Sequence, residues 1–212
     1  MNRLLPLFIG AIAILALATL MLVILPGIQI HKQQPSDQLQ PYTERELAGR
    51  EQYVSLGCVY CHSQQPRSAS QALADAAHGW GRPSVASDYY YYYDAPHQLG
   101  TMRPGPDLLN VGARLPSAEW HLTHLYQPRV IFDWSIMPAY PFLFETKDQA
   151  TPDDVVVKLP VEFRPEGQVV VARQAALDLV AYLQSLNRSY AIKGELSSIR
   201  DQGYDTSKGE RK

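Results

Sequence analysis

The two cysteines of this 212-residue chain constrain its fold more strongly than any other feature. They stand three positions apart and a histidine follows them directly, in the order Cys58-Val59-Tyr60-Cys61-His62. This spacing is typical of covalent attachment of a c-type haem. Two thiols on one helical turn reach the two vinyl groups on one edge of the porphyrin, and the next residue then lies beneath the iron. We therefore predict one covalently attached haem c, bound through Cys58 and Cys61, with His62 as the proximal iron ligand.

Zinc binding and thioredoxin-like redox chemistry fit the cysteine pair less well. A structural zinc site normally needs a second pair of ligands, and the chain has no further cysteine to provide them. A thioredoxin-like redox pair should follow a buried strand and open a helix, whereas residues 50–57 favour a helix in front of the pair. The remaining alternative is a pair of unrelated cysteines.

The N-terminal segment is apolar enough to lie in a membrane. No charged residue occurs from Leu4 to Leu25, and 22 residues at ~1.5 Å each span the hydrocarbon core of a bilayer. A cleaved signal peptide is the alternative, but the apolar run exceeds the ~7–15 residues of a typical signal h-region. We therefore predict an uncleaved anchor helix over residues 1–30. Covalent haem attachment in bacteria takes place outside the cytoplasmic membrane, which would leave the N-terminus in the cytoplasm and the haem domain in the periplasm.

The rest of the chain divides into a linker, one domain and a tail. Residues 31–41 are polar and contain prolines, as expected of a linker, and residues 191–212 form a polar C-terminal tail. Between them, residues 42–190 form the predicted haem domain. Thr43 and Glu46 have the spacing of a capping box, which predicts a helix that leads into the cysteine pair. Apolar residues at helical spacing predict a second helix over residues 173–187, so the fold should be mainly α.

Two segments of this domain are predicted insertions. Residues 68–101 contain a run of five tyrosines, Tyr89 to Tyr93, which would contact a partner, the haem edge or the membrane, or would pack as a local aromatic loop. Residues 151–172 contain valines at 155–157 and 169–171 on either side of two prolines and a glycine, which predicts a two-stranded excursion.

The charge of the chain excludes one class of partner. The formal net charge is −2 and no run of lysine or arginine occurs, so the sequence lacks the electrostatic pattern of a nucleic-acid-binding protein. A protein or a membrane complex is the expected partner.

The sixth iron ligand is not determined by local pattern alone. Met102 and Met137 are the methionines outside the N-terminal segment, and Met137 lies in a proline-rich loop stiff enough to present a side chain. The histidine alternatives are His78, His97, His121 and His124. Of these, His121 and His124 fall on a predicted short helix that starts at Ser117, where a surface or hydrogen-bonded core histidine is the commoner outcome.

A series of motifs, in order along the chain, resembles one protein family. The motifs are Gly105-Pro106-Asp107-Leu108, Val111-Gly112-Ala113-Arg114, Trp120-His121-Leu122-Thr123-His124-Leu125, Pro128-Arg129 and Met137-Pro138-Ala139-Tyr140-Pro141. Together with the anchor and the cysteine pair, they resemble FixO or CcoO, the membrane-anchored monohaem cytochrome c subunit of cbb(3)-type haem-copper oxygen reductases. The two helices resemble those of class I cytochromes c, in which they cross in close contact, here at Gly49 and Tyr182.

The resemblance implies roles for individual residues. Met137 would be the sixth iron ligand, and the carbonyl of Pro106 would accept a hydrogen bond from the free ring nitrogen of His62. Arg114 would lie near the haem propionates, unless it is a solvated loop arginine. Trp120 and Tyr140 would donate to the same propionates or pack the pocket.

The resemblance also implies a function and partners. The chain would pass electrons from a soluble cytochrome c or a further cytochrome c subunit to a haem-copper catalytic subunit that reduces oxygen to water. It departs from the family pattern at Gln65 and Phe142, where relatives usually have methionine and tryptophan. Two alternatives remain: the monohaem anchored subunit of a nitric oxide reductase, and a membrane-tethered haem carrier or sensor.

Overall fold

The computed structural model describes residues 4–31, 39–65, 92–94 and 96–187, together with two short strands near the C-terminus. Its helices are α1 (Leu4–Thr19), α2 (Leu25–His31), α3 (Glu44–Ser55), α4 (Val111–Arg114), α5 (Ala118–Tyr126) and α6 (Gln174–Ser185). Its strands are β1 (Phe144–Lys147), β2 (Val169–Ala172), β3 (Tyr204–Asp205) and β4 (Glu210–Arg211). The described part is therefore mainly α, as predicted.

The N-terminal helix is continuous. A π-helical turn, Leu20–Ile24, joins α1 to α2. The span Leu4–Gln29 has 26 residues and contains an 18-residue window with a mean hydropathy of 2.9, so it is long and apolar enough to cross a membrane. Its large apolar side chains are mostly exposed, which suits contact with lipid.

Helix α3 begins at the predicted capping box. The Thr43 hydroxyl accepts a hydrogen bond from the Glu46 amide at 3.3 Å, and the Glu46 carboxylate accepts one from the Thr43 amide at 2.7 Å. These bonds satisfy backbone donors that a helix start leaves without partners. At the other end, Gly57 adopts φ 72°, a conformation that glycine takes without a Cβ penalty. The chain thereby turns from α3 into the cysteine segment.

Helices α3 and α6 cross at very short range. A Cβ built on Gly49 would lie 1.9 Å from the carbonyl oxygen of Asp178 and 2.8 Å from the Cβ of Tyr182. Only glycine permits this approach, because any side chain would overlap the α6 backbone. Tyr182 is fully buried and its hydroxyl accepts a hydrogen bond from the Gln64 amide at 3.1 Å. The crossing expected from the resemblance is therefore present, and the Tyr182 hydroxyl is not at the surface.

The core lies between this helix pair and the segments that follow α3. Gly112, in α4, approaches α6 as closely as Gly49 does, since its Cβ would lie 2.0 Å from the carbonyl oxygen of Gln184. Aliphatic and aromatic side chains from both sides fill the space. They include Tyr53, Val111, Leu122, Leu125, Leu143, Phe144, Leu179, Val180, Leu183 and Leu186.

The strand pairing extends beyond the sequence prediction. Strand β2 pairs antiparallel with β1, in the register Phe144 with Ala172 to Lys147 with Val169. Residues 155–157 pair antiparallel with β2 through the bridge between Val156 and Val171. Two backbone hydrogen bonds flank this bridge, from the Val157 amide to the Val170 carbonyl at 2.8 Å and from the Ala172 amide to the Val155 carbonyl at 2.9 Å. The two valine runs therefore pair as the sequence predicts, but only over a short stretch, and the pairing of β2 with β1 was not predicted. Burial of Phe144 against Tyr126, with ring centroids 5.3 Å apart, fixes β1 next to β2, whereas the turn at Thr151 and Asp154 and the nearby Pro160 keep the first valine run short.

Most of the first predicted insertion lies outside the described residues. Of the tyrosine run, Tyr92 and Tyr93 are described; their rings form an edge-to-face pair with centroids 5.1 Å apart, and both are exposed. The role of the run at an interface stays a prediction. Its neighbour Asp94 is buried and binds the Arg50 guanidinium at 2.5 Å, which ties this segment to α3.

Candidate haem site

The cysteine pair lies on a single turn directly after α3. A 3₁₀ turn over Cys58–Tyr60 is followed by hydrogen bonds from the amides of Cys61 and His62 to the carbonyl of Cys58, at 3.1 and 2.9 Å. Both thiols are free; Cys58 is half-buried and Cys61 is exposed. Burial raises the pKa of the Cys58 thiol to about 11, so this thiol is protonated at neutral pH. The turn thus presents two thiols and one imidazole from the same short segment.

The imidazole of His62 is held at one nitrogen. Its Nδ1 lies 2.7 Å from the carbonyl oxygen of Pro106, the contact that the resemblance implies. Burial lowers the pKa of His62, although the bond to Pro106 opposes this shift. A neutral ring that donates from Nδ1 keeps the lone pair of Nε2 available to a metal. The geometry therefore suits a proximal ligand.

Small and buried neighbours fix the position of His62. A Cβ on Gly105 would lie 2.3 Å from Cε1 of the imidazole, so the ring packs directly on the glycine backbone. The hydroxyl of the buried Tyr53 donates to the carbonyl of His62 at 2.8 Å. Since Tyr53 belongs to α3, this helix helps to set the position of His62 as well as that of the cysteines.

Met137 lies in the loop between α5 and β1. It is half-buried and packs against the core, whereas Met102 is 59% exposed. Arg129 donates to the Met137 carbonyl at 3.3 Å, and the Tyr140 amide donates to the carbonyl of Leu125 at 2.9 Å. These bonds hold the loop against the C-terminal end of α5. Of the two candidate methionines, Met137 has the more fixed surroundings.

Arg114 and Tyr140 lie near the cysteine segment. The Arg114 guanidinium donates to the backbone carbonyl of Asp107 at 3.0 Å, and its charge contributes to the lowered pKa of His62. Burial, followed by the proximity of the Cys58 and Cys61 thiols, raises the pKa of Tyr140. Both side chains are therefore within electrostatic range of the segment that carries the proposed ligand.

Trp120 contacts the two histidines of α5. Its ring stacks on His124 with centroids 4.7 Å apart and meets His121 edge to face at 5.2 Å. His121 is a hydrogen-bonded core histidine, because its Nε2 lies 2.8 Å from the carbonyl of Leu115. His124 differs, because its Nδ1 is buried and has no hydrogen-bond partner among the described residues. Burial, then the nearby His62 and His121, lowers the pKa of His124 to about 4.

The residues of this region fit a haem. Two thiols and one imidazole on a single turn are the groups that bind a c-type haem. Gly105 has no side chain that would overlap the imidazole ring of His62. The buried Nδ1 of His124 lies within electrostatic range of His62, where a haem propionate would give it a hydrogen-bond partner. Within the described ranges, no group of three or more His, Cys, Asp or Glu could hold a metal ion on its own. A free metal site is therefore not supported in that part of the chain.

Sequence reasoning missed a polar cluster behind His62. Asp107 binds Arg103 and Ser63 through its carboxylate, and Ser63 is almost fully buried. The motif that contains Asp107 is recognisable in the sequence, but no local pattern pairs it with a serine 44 positions away.

A comparison with protein families matches most of the chain. The model of FixO, the mono-haem subunit of cytochrome c oxidase, matches residues 2–163. This range includes the apolar helix, the cysteine turn, the Pro106 loop and Met137. No curated protein matches the chain. Because this match covers most of the chain, including the turn that carries His62, the chain belongs to the FixO family of mono-haem cytochrome c oxidase subunits.

Proposed function

We propose that the chain is the electron-transfer subunit of a cbb(3)-type haem-copper oxygen reductase. It would receive electrons from a soluble cytochrome c or a further cytochrome c subunit and pass them to the catalytic subunit that reduces oxygen to water. The observation that carries this proposal is the contact of 2.7 Å between His62 Nδ1 and the Pro106 carbonyl, next to two free thiols on the same turn. A metal-binding imidazole needs such a partner to fix its orientation and tautomer.

The proposal assigns each residue of the site a part in holding the cofactor. Cys58 and Cys61 would form thioethers with one haem c, and His62 and Met137 would be the axial ligands. A haem bound there supplies reversible one-electron redox chemistry. Arg114, Trp120 and Tyr140 would surround the haem, with Arg114 available to a propionate. No side chain of this chain is required to act as nucleophile or general base, so catalysis would belong to the partner subunit.

The proposal also includes the arrangement in the membrane. Residues 1–30 would form a single-pass anchor with the N-terminus in the cytoplasm of a bacterial cell. Residues 31–41 would be a linker, and the haem domain, residues 42–190, would lie on the periplasmic side, followed by a polar tail. Anchoring confines the haem domain to the membrane surface and so raises its effective concentration near a membrane-bound acceptor.

Purification from native membranes in mild detergent tests the proposal. A partner with b-type haems and copper, together with oxygen uptake driven by reduced cytochrome c, would support it. A partner with b-type haem and non-haem iron would instead identify a nitric oxide reductase. Recovery of the chain alone, with ferrous haem that binds carbon monoxide readily, would favour a tethered carrier or sensor.

A further inference from the structure

The Pro106 loop is joined to the His62 segment on both sides of the imidazole. The Gly105 amide donates to the Cys61 carbonyl at 3.1 Å, and the Leu108 amide donates to the Ser63 carbonyl at 2.9 Å. The bond between His62 and Pro106 lies between these two backbone bonds. Its geometry therefore depends on the orientation of the peptide units in this loop.

The Asp107 carboxylate fixes the loop through both of its oxygens. Oδ1 accepts a hydrogen bond from the Leu109 amide at 2.8 Å. Oδ2 accepts one from the Ser63 hydroxyl at 2.8 Å and one from Arg103 at 3.0 Å. Arg103 also donates through Nε to the Ser63 hydroxyl. The carboxylate, the guanidinium and the hydroxyl thus form a closed triangle behind His62.

This triangle fixes the peptide group whose carbonyl, that of Pro106, accepts the hydrogen bond from His62. The carbonyl of Pro106 and the amide of Asp107 belong to one planar peptide group. The proline ring restricts φ on one side of that group, and the anchored Asp107 side chain restricts the other side. The bond from Arg114 to the Asp107 carbonyl fixes the next peptide group at 3.0 Å. The direction of the Pro106 carbonyl is therefore fixed by side chains other than that of His62.

We propose that Asp107 is a positioning residue: its carboxylate, with Arg103 and Ser63, orients the Pro106 carbonyl and so determines how strongly His62 donates electron density to the haem iron. The inference rests on the proposed function, in which His62 is the proximal ligand. A strong bond from Nδ1 makes the imidazole more electron-rich, and an electron-rich ligand stabilises ferric iron. Loosening the triangle weakens that bond and raises the reduction potential.

Charge-conserving substitutions separate positioning from a simple charge effect. Asp107→Glu keeps the negative charge but moves it by one methylene, and Arg103→Lys keeps the positive charge but loses the two-pronged contact. Asp107→Asn and Arg103→Gln remove the two opposite charges. Positioning predicts that all four variants have a higher midpoint potential than the wild type. A charge effect alone predicts opposite shifts for the two neutral variants and none for the charge-conserving pair.

The experiment uses the full-length haem-loaded chain in detergent. Midpoint potentials are measured by redox titration, and the g values of the ferric electron paramagnetic resonance spectrum report the orientation of the imidazole. Ser63→Ala removes two hydrogen bonds, the one that its hydroxyl donates to Asp107 and the one that it accepts from Arg103, but no charge. It therefore provides a variant of unchanged charge if the others fail to retain haem, and it is expected to raise the potential in the same direction. Asp94→Asn is the control, because it also removes a carboxylate paired with an arginine, but that arginine is Arg50 and not Arg103. Its g values should equal those of the wild type.

Two results would overturn the inference. The first is a midpoint potential that shifts in opposite directions in Asp107→Asn and Arg103→Gln while the g values stay unchanged. The second is a wild-type potential in both Ser63→Ala and Asp107→Glu. A wild-type spectrum without histidine and methionine ligation would instead contradict the proposed function, so the two failures are distinguishable.

Discussion

Replacement of Gly49 by alanine tests the close crossing of α3 and α6. The new Cβ would lie 1.9 Å from the carbonyl oxygen of Asp178, about 1.5 Å short of ordinary van der Waals contact. The clashing atom belongs to the backbone of a buried helix, so a side-chain rotation cannot relieve the overlap. The two helices must separate locally or α6 must shift along its axis.

The expected loss of stability follows from two opposing contributions. Alanine in place of a helical glycine favours folding by roughly 0.5–1 kcal/mol. Overpacking of a dense core typically costs about 1–3 kcal/mol, and a backbone clash belongs at the upper end of that range. The net effect is a destabilisation of about 2 kcal/mol. For a chain of this size that corresponds to a midpoint of thermal unfolding about 4–8 °C lower.

The unfolding midpoint is measured by heating the haem-loaded chain in detergent and following the haem absorption band. Glu51→Ala is the matched control, because Glu51 lies in the same helix and is exposed. Its stability should stay within about 0.5 kcal/mol of the wild type. An unchanged or higher unfolding midpoint for Gly49→Ala would refute the close crossing.

Three further predictions concern the packing and the site. Gly112→Ala should lower the unfolding midpoint to a similar extent as Gly49→Ala, because its Cβ would lie 2.0 Å from the Gln184 carbonyl; a midpoint equal to that of the wild type in the same thermal assay would contradict the packing of α4 on α6. Met137→Ala should allow carbon monoxide to bind the ferrous haem, whereas Met102→Ala should not; absorption spectra that show the reverse pattern would mean that the axial assignment is wrong. His124→Phe should make the free energy of unfolding less dependent on pH between about 4 and 6.5. The reason is that folding lowers the pKa of His124 from 6.5 to about 4, so the unfolded chain binds the proton first as the pH falls. The wild type therefore loses stability as the pH falls through this range. If denaturant titrations show that the free energy of unfolding changes equally with pH in both proteins, His124 is not the cause of this loss.

The features that sequence reasoning identified correctly have local causes. The capping box at Thr43 involves residues three positions apart, and the cysteine turn lies within five consecutive residues. The apolar spacing of α6 and the apolar run of the N-terminal helix can likewise be recognised within short stretches of sequence. Such signals act before any tertiary contact forms, so they can be recognised without the fold.

The features that sequence reasoning missed depend on residues far apart in the chain. The partner of β2 is set by the burial of Phe144 against Tyr126, and the four residues of β1 are too short a stretch to show a strand pattern in the sequence. His121 and His124 occupy the same helix, yet only His121 meets a backbone acceptor, the carbonyl of Leu115, within the described part of the chain. The pairing of Asp107 with Ser63 joins two loops whose contact exists only after folding.

The bond between Gln64 and Tyr182 has a consequence for the order of assembly. The two residues are 118 positions apart, and Gln64 closely follows the cysteine segment while Tyr182 lies in α6. A chain made from its N-terminus presents the two thiols long before α6 is available to cover Gly49. If a haem is attached to these thiols as proposed, attachment can take place while the segment is still open, and the docking of α6 then closes the long loop between the two helices. Closing a loop of this length is slow compared with helix formation, so we expect the docking of α6 to be a late step in folding.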